Sequence, residues 1–165
     1  MSSGNEILRL LKVVEELRGE NGCPWDKSMT HESLKAHVIE EAAEVICGIN
    51  EYVKTGNPDN LKEELGDLLF IILLQTRIAK EEGLFDFDDV CGTISEKMIM
   101  RHPHVFKKPV FDENGRELKT WDELKAYEKK HMKKPDTEEL FEAFNESKEL
   151  IDVARNRKLK KLNRE

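Results

Sequence analysis

The sequence predicts an all-α protein, a helical bundle, from three observations. Apolar residues recur at helical spacing in successive segments, and helix start and stop signals fall between those segments. The composition, 37% charged and 38% apolar with 7% aromatic residues, is that of a helix-rich chain with a heavily solvated surface. At 165 residues the chain has the size of one domain with one substantial core, and a second catalytic domain is not expected to fit.

Ile7, Leu8, Leu10, Leu11, Val14 and Leu17 predict an opening amphipathic helix from about Asn5 to Arg18, which Gly19 to Met29 interrupts. Thr30 is placed to cap a second helix running to about Lys54. After Gly56, Asn57 serves as N-cap and Pro58 as first residue of a third helix that stops at Gly83. Asp86 opens a fourth helix ending before Pro103, with Asp89 near the positive end of its dipole. Lys107 to Lys119 reads as a polar loop, although Asn114-Gly115 has the chemistry to close a short hairpin. Thr120 and Glu123 form a capping-box pattern for a fifth helix through about Met132. After Pro135 a last helix is expected, with a partial apolar face of Leu140, Phe141, Phe144 and Ile151 and a basic end, Arg155 to Arg164, fraying into solvent. The organisation expected is one catalytic domain over residues 1–134 and a C-terminal helical tail over 135–165.

A formal charge of −7 argues against sequence-independent binding to a nucleic-acid polymer, which needs a clustered positive surface. Cys23, Cys47 and Cys91 are odd in number and form no CxxC pair, so neither a disulfide framework nor a thiolate zinc site is expected. No apolar run approaches the roughly 20 residues of a membrane span and no signal-peptide core is present. The expected location is therefore the cytoplasm, with no membrane partner.

The informative feature is a set of acids standing where a core should be. On the second helix Leu34, Val38, Glu41 and Val45 share one stripe, so Glu41 occupies a seam position, and Glu44 projects beside it. On the third, Glu64 shares a row with Leu61, Leu68 and Ile71, and Asp67 with Ile71, Leu74 and Ile78. Leu65 to Leu74 is apolar nearly all round, which predicts a central helix and acids held off a wet outer face. Burying an unpaired carboxylate costs several kcal/mol, so a positive charge is required. No Lys or Arg lies between Glu64 and Arg77, which shifts the weight to a bound cation, and an all-oxygen donor set suits Mg²⁺ or Mn²⁺. Any one of these acids taken alone is better read as part of a solvated edge; the reading rests on the joint pattern.

Glu40-Glu41-Ala42-Ala43-Glu44 followed by Glu64-Leu65-Gly66-Asp67 resembles the EExxE…ExxD signature of the MazG family of nucleoside triphosphate pyrophosphohydrolases. Cys23-Pro24-Trp25-Asp26-Lys27, Thr30-His31-Glu32-Ser33-Leu34, Gly83-Leu84-Phe85-Asp86 and Arg101-His102-Pro103-His104-Val105-Phe106 are similar to MazG sequence as well, so the likeness covers about Gly22 to Lys130. The resemblance implies an all-α NTP pyrophosphatase that converts an NTP or dNTP and water to the monophosphate and pyrophosphate. It implies Glu41, Glu44, Glu64 and Asp67 as Mg²⁺ ligands, with Mn²⁺ able to substitute, and Glu40 as a further catalytic acid. It also implies Lys97 and Arg101, four apart on one helical face, as holders of phosphate oxygens that contribute little to the fold, and Trp121 and Lys125 as residues near the nucleotide. A homodimer or a dimer of dimers is implied too. Read without the family, Lys97 and Arg101 also fit a solvated basic face, and Trp121 a core-packed capping residue; Trp25 reads first as a loop anchor.

Other readings compete. A non-enzymatic helical module would use the acids as an interaction face. A ferritin-like di-iron protein needs two Glu-x-x-His motifs, and only Glu128-Lys129-Lys130-His131 matches, in a Lys-rich stretch expected to be exposed. Zinc bound through His102 and His104 lacks further ligands, so a helix-terminal role is expected for them.

Overall fold

A computed structural model describes residues 4–131 and 137–162. The protein is all-α: among the described residues there are eight helices and one two-stranded ladder. They are α1 (Gly4–Arg18), α2 (Pro24–Ser28), α3 (His31–Thr55), α4 (Asp59–Glu81), α5 (Phe87–Arg101), α6 (Pro103–Phe106), β1 (Val110–Phe111), β2 (Glu117–Leu118), α7 (Trp121–His131) and α8 (Thr137–Leu162). The chain divides into two compact units, one of Met1–Asp86 with Ala143–Glu165, the other of Phe87–Glu142. The boundary expected at 134/135, and the end of the fifth helix at Met132, lie outside the described residues.

In the first unit the hairpin of α3 and α4 is the frame. The Thr30 side chain accepts the Ser33 N–H while the Ser33 side chain accepts the Thr30 N–H, a capping box that starts α3. Gly56, at φ 78°, ends it in the left-handed conformation that glycine alone adopts without strain. Asn57 Oδ1 then accepts the Asp59 N–H at 3.1 Å, but α4 starts one residue later than expected, at Asp59, with Pro58 in the cap position instead of Asn57. The two helices run antiparallel, as the contacts His31 with Gln75 and Gly48 with Leu61 show. At Gly48 an added Cβ would stand 2.8 Å from the Leu61 Cα, so only glycine permits this close an approach. α1 lies alongside α4, tied by Arg77 to Glu15 at 3.2 Å and Arg18 to Glu81 at 2.7 Å. Val14, Leu34, Leu73, Leu74, Ile78 and Ala79 form the buried core; truncating such a leucine to alanine costs roughly 2–5 kcal/mol.

The segment 19–29 is not a plain break. Pro24 starts the short helix α2, and the Arg18 guanidinium donates to the backbone carbonyls of Asp26 and Met29. Arg18 is fixed in turn by Glu81, so this turn is held by a tertiary contact that a local pattern does not reveal.

In the second unit the loop expected over 107–119 is a hairpin: Val110 pairs with Leu118 and Phe111 with Glu117. Asp112 Oδ1 accepts the N–H groups of Asn114 and Arg116, and Gly115 takes φ 76°. Pro103 opens the short helix α6 where the sequence indicated only an end. The His102 ring meets the Met98 carbonyl at 2.7 Å, the helix-terminal role expected of it. Thr120 and Glu123 make the expected capping box on α7. Arg116 and those cap contacts hold the Glu123 carboxyl far below its ordinary range, at about 2.

α8 departs from expectation. Its helix continues through Leu162 instead of fraying, whereas Leu140, Phe141, Phe144 and Ile151, the expected apolar face, are exposed. Arg164 lies outside the described residues.

Candidate active site

The antiparallel α3/α4 hairpin brings two short acidic motifs face to face. Glu41 and Glu44 are three residues apart on α3, as Glu64 and Asp67 are on α4, so each pair projects from one side of its helix. Glu41, Glu64 and Asp67 each present a carboxylate oxygen, and the three atoms lie within 4.8 Å of one another. Glu41 and Glu64 are half-buried. Burial, followed by the charges of Glu44, Asp67, Glu40 and Glu64, pushes the Glu41 carboxyl up to about 6. Burial and then Glu44 also raise that of Glu64. Crowded, partly desolvated carboxylates of this kind form a hard oxygen donor set, and a small divalent cation is the charge that relieves it. The donor set therefore fits the Mg²⁺ or Mn²⁺ that the sequence suggested.

One expectation about this site is corrected. Asp67 is exposed, as are Leu65 and Ile72, so α4 is not enclosed all round within the chain. Most of the exposure lies in the first half of α4, whereas Ile71, Leu73, Leu74, Thr76, Ile78 and Ala79 are buried, so the apolar run overstates burial where the acids stand.

Glu44 and Glu40 have partners that sequence reading missed. Lys158 Nζ lies 2.5 Å from Glu44 Oε1, and the Arg157 guanidinium donates to Glu40 Oε2 at 2.9 Å. The carboxylate of Glu44 raises the Lys158 ammonium above its ordinary range. Glu40 itself is buried, at 7% exposure. Both cations come from the end of α8 that was expected to fray. The run of basic residues was visible, but nothing local to it indicates which helix it meets.

In the second unit the four residues expected near the nucleotide are placed as follows. Lys97 and Arg101 occupy one face of α5, Trp121 begins α7 and is exposed, and Lys125 is exposed one turn on. The Arg101 guanidinium stacks over the Trp121 ring, 5.0 Å from its centroid. Arg101 departs from the expected solvated role: it is buried and grips Glu128 Oε2 with two nitrogens, Nε at 2.7 Å. Lys97 Nζ stands 3.7 Å from the other oxygen of Glu128. Glu128, expected in an exposed stretch, is 3% exposed. It sits one turn beyond Leu124 on the inner face of α7, so its spacing in the helix carried the signal that its Lys-rich neighbours hid.

Residues 29–106, which hold all four acids together with Lys97 and Arg101, match the profile of the MazG nucleotide pyrophosphohydrolase domain. Over 120 residues the chain is 46% identical to the nucleoside triphosphate pyrophosphohydrolase/pyrophosphatase MazG of Thermotoga maritima, covering 73% of this chain and 44% of that protein. Over residues 29–106 the chain is a MazG domain. It is also 40% identical over 126 residues to the nucleoside triphosphate pyrophosphohydrolase of Escherichia coli, covering 76% of this chain and 46% of the relative. With an uncharacterized protein, YabN, of Bacillus subtilis it shares 45% identity over 125 residues, 76% of this chain and 25% of YabN. The chain thus spans less than half the length of these three relatives. α8 lies beyond the matched domain.

Proposed function

We propose that this chain is a divalent-metal-dependent nucleoside triphosphate pyrophosphohydrolase, converting an NTP or dNTP and water to the nucleoside monophosphate and pyrophosphate. The observation that carries the reading is the convergence of Glu41, Glu64 and Asp67 within 4.8 Å on a MazG hairpin. Glu44 completes the ligand set, and Glu40 is the adjoining acid. Mg²⁺ held there, or Mn²⁺ in its place, supplies charge neutralisation for the phosphoryl oxygens and activation of water. A carboxylate of this acidic group is suited to take up the proton of the attacking water. Cleavage between the α and β phosphorus atoms comes from likeness to relatives named pyrophosphohydrolases.

Lys97, Arg101, Trp121 and Lys125 serve the nucleotide in this reading. Lys97 and Lys125 offer ammonium groups to phosphate and the exposed indole offers a stacking face. Arg101, already gripped by Glu128, braces that indole. Ile46, Ile49 and Val53 form an exposed apolar stripe on α3, which supports association as a homodimer or a dimer of dimers. No helix among the described residues is long and apolar enough to cross a membrane, and the cysteines are free, in keeping with a cytoplasmic enzyme.

The test is a panel of canonical and modified (d)NTPs with Mg²⁺ in which both products are read. Monophosphate and intact pyrophosphate are expected, with turnover lost on chelation. Release of phosphate with accumulating diphosphate would refute the assigned bond, and full turnover after exhaustive chelation would refute the metal.

A further inference from the structure

The end of α8 places a lysine on an acid that the metal site needs. Lys158 Nζ is 2.5 Å from Glu44 Oε1 and 3.8 Å from Glu40 Oε1, while Arg157 holds the other oxygen of Glu40 at 2.9 Å. Glu44 is correspondingly absent from the group of carboxylate oxygens that converge, which is made by Glu41, Glu64 and Asp67. A cavity of about 410 Å³ opens between α3, α4 and α8, and Glu44, Glu64, Ala154 and Lys158 are on its wall. The Lys158 side chain therefore has space beside it, and at 46% exposure its ammonium reaches water without crossing packed side chains.

We propose that Lys158 and the divalent cation are alternative counter-charges of Glu44. In the metal-free protein Lys158 neutralises Glu44; loading of metal draws Glu44 into the set of Glu41, Glu64 and Asp67 and returns Lys158 to solvent. The inference rests on the divalent-cation reading of the site. Its physical basis is the difference between the two basic residues. Arg157 pairs with a buried carboxylate and anchors the helix end, since its planar fork is suited to a fixed contact. Lys158 is a compact charge on a flexible four-carbon stem, in an ion pair open enough to be screened and exchanged. Metal affinity in this chain is then set in part by a helix outside the matched MazG domain.

The experiment is Mn²⁺ binding to the full chain at low salt without nucleotide, by calorimetry or by the loss of free-Mn²⁺ paramagnetic resonance signal. Lys158→Met, which keeps the stem and removes the charge, is expected to bind Mn²⁺ about threefold to fivefold more tightly than the wild type, the range of a part-exposed ion pair. Lys158→Arg should stay near the wild-type affinity, and Lys158→Gln guards against a folding defect particular to methionine. The gain should vanish in a Glu44→Gln background. Unchanged or weaker binding by both neutral variants would overturn the proposal, as would a gain that persists without the Glu44 charge. Absence of Mn²⁺ binding from wild type and variants alike would instead sink the metal reading itself, and this inference with it.

Discussion

Glu128 in the second unit and Glu41 in the first are both carboxylates withdrawn from water, and they differ in what answers their charge. Glu128 receives two guanidinium nitrogens from Arg101, with Lys97 near its second oxygen. Among the described residues Glu41 has no Lys or Arg at ion-pair distance; its neighbours are Glu44, Asp67, Glu40 and Glu64, and its carboxyl rises to about 6. A buried acid supplied with its own arginine is part of the structure, since the chain has already neutralised it. Acids gathered without one are arranged for a cation from solution. Glu40 and Glu44 stand between these cases, matched by Arg157 and Lys158 from far along the chain.

Replacing each member of the uncompensated group is the strongest way to break this contrast. Glu41→Ala, Glu64→Ala and Asp67→Ala should each lower kcat by about three orders of magnitude, the equivalent of the several kcal/mol (~4) that a bound metal contributes to transition-state charge. Circular dichroism and melting should show a folded protein, because removing one acid relieves repulsion. Unfolding by all three would make the acids a structural core and erase the distinction from Glu128.

The converse holds for the compensated pair. Arg101→Ala leaves a carboxylate buried without its guanidinium and should destabilise the protein by about 3–5 kcal/mol, read from urea denaturation. The double replacement Arg101→Met with Glu128→Leu should recover most of that loss. A fully stable Arg101→Ala protein with a raised KM for nucleotide would move Arg101 from the structural class to direct phosphate contact.

The sequence was most legible where the cause is local. The capping residues Thr30 and Thr120 and the stop at Gly56 act within one turn, and each is found doing so. The pairing of the acid motifs was also readable, because spacing within a helix fixes which side chains share a face and a short turn brings the next helix back. What escaped were contacts over long sequence distance. Lys158 meets Glu44 and Arg18 meets Glu81 through packing that no periodicity encodes. The hairpin at 110–118 was only the alternative to a loop for a different reason: strands of two residues are too short to show alternation, leaving only Asn114-Gly115 to announce them.

The smallest expected effect is the most direct probe of Glu41. Its carboxyl is raised in the folded protein from 4.5 to about 6, so the folded state is favoured while Glu41 is protonated. That contribution is fully present below about pH 4.5 and is lost as pH rises through about 6. The displacement corresponds to about 2 kcal/mol, and the partial exposure of Glu41 reduces this to about 1 kcal/mol. Glu41→Gln, permanently neutral, should therefore melt roughly 2–4 °C above the wild type at pH 8 in the presence of a chelator, and at the same temperature as the wild type at pH 4.5. A Glu41→Gln variant that melts below the wild type at pH 8 would mean that the ionised carboxylate is favourably paired inside the fold. Glu41 would then belong with Glu128, and the site would have no unanswered charge at its centre.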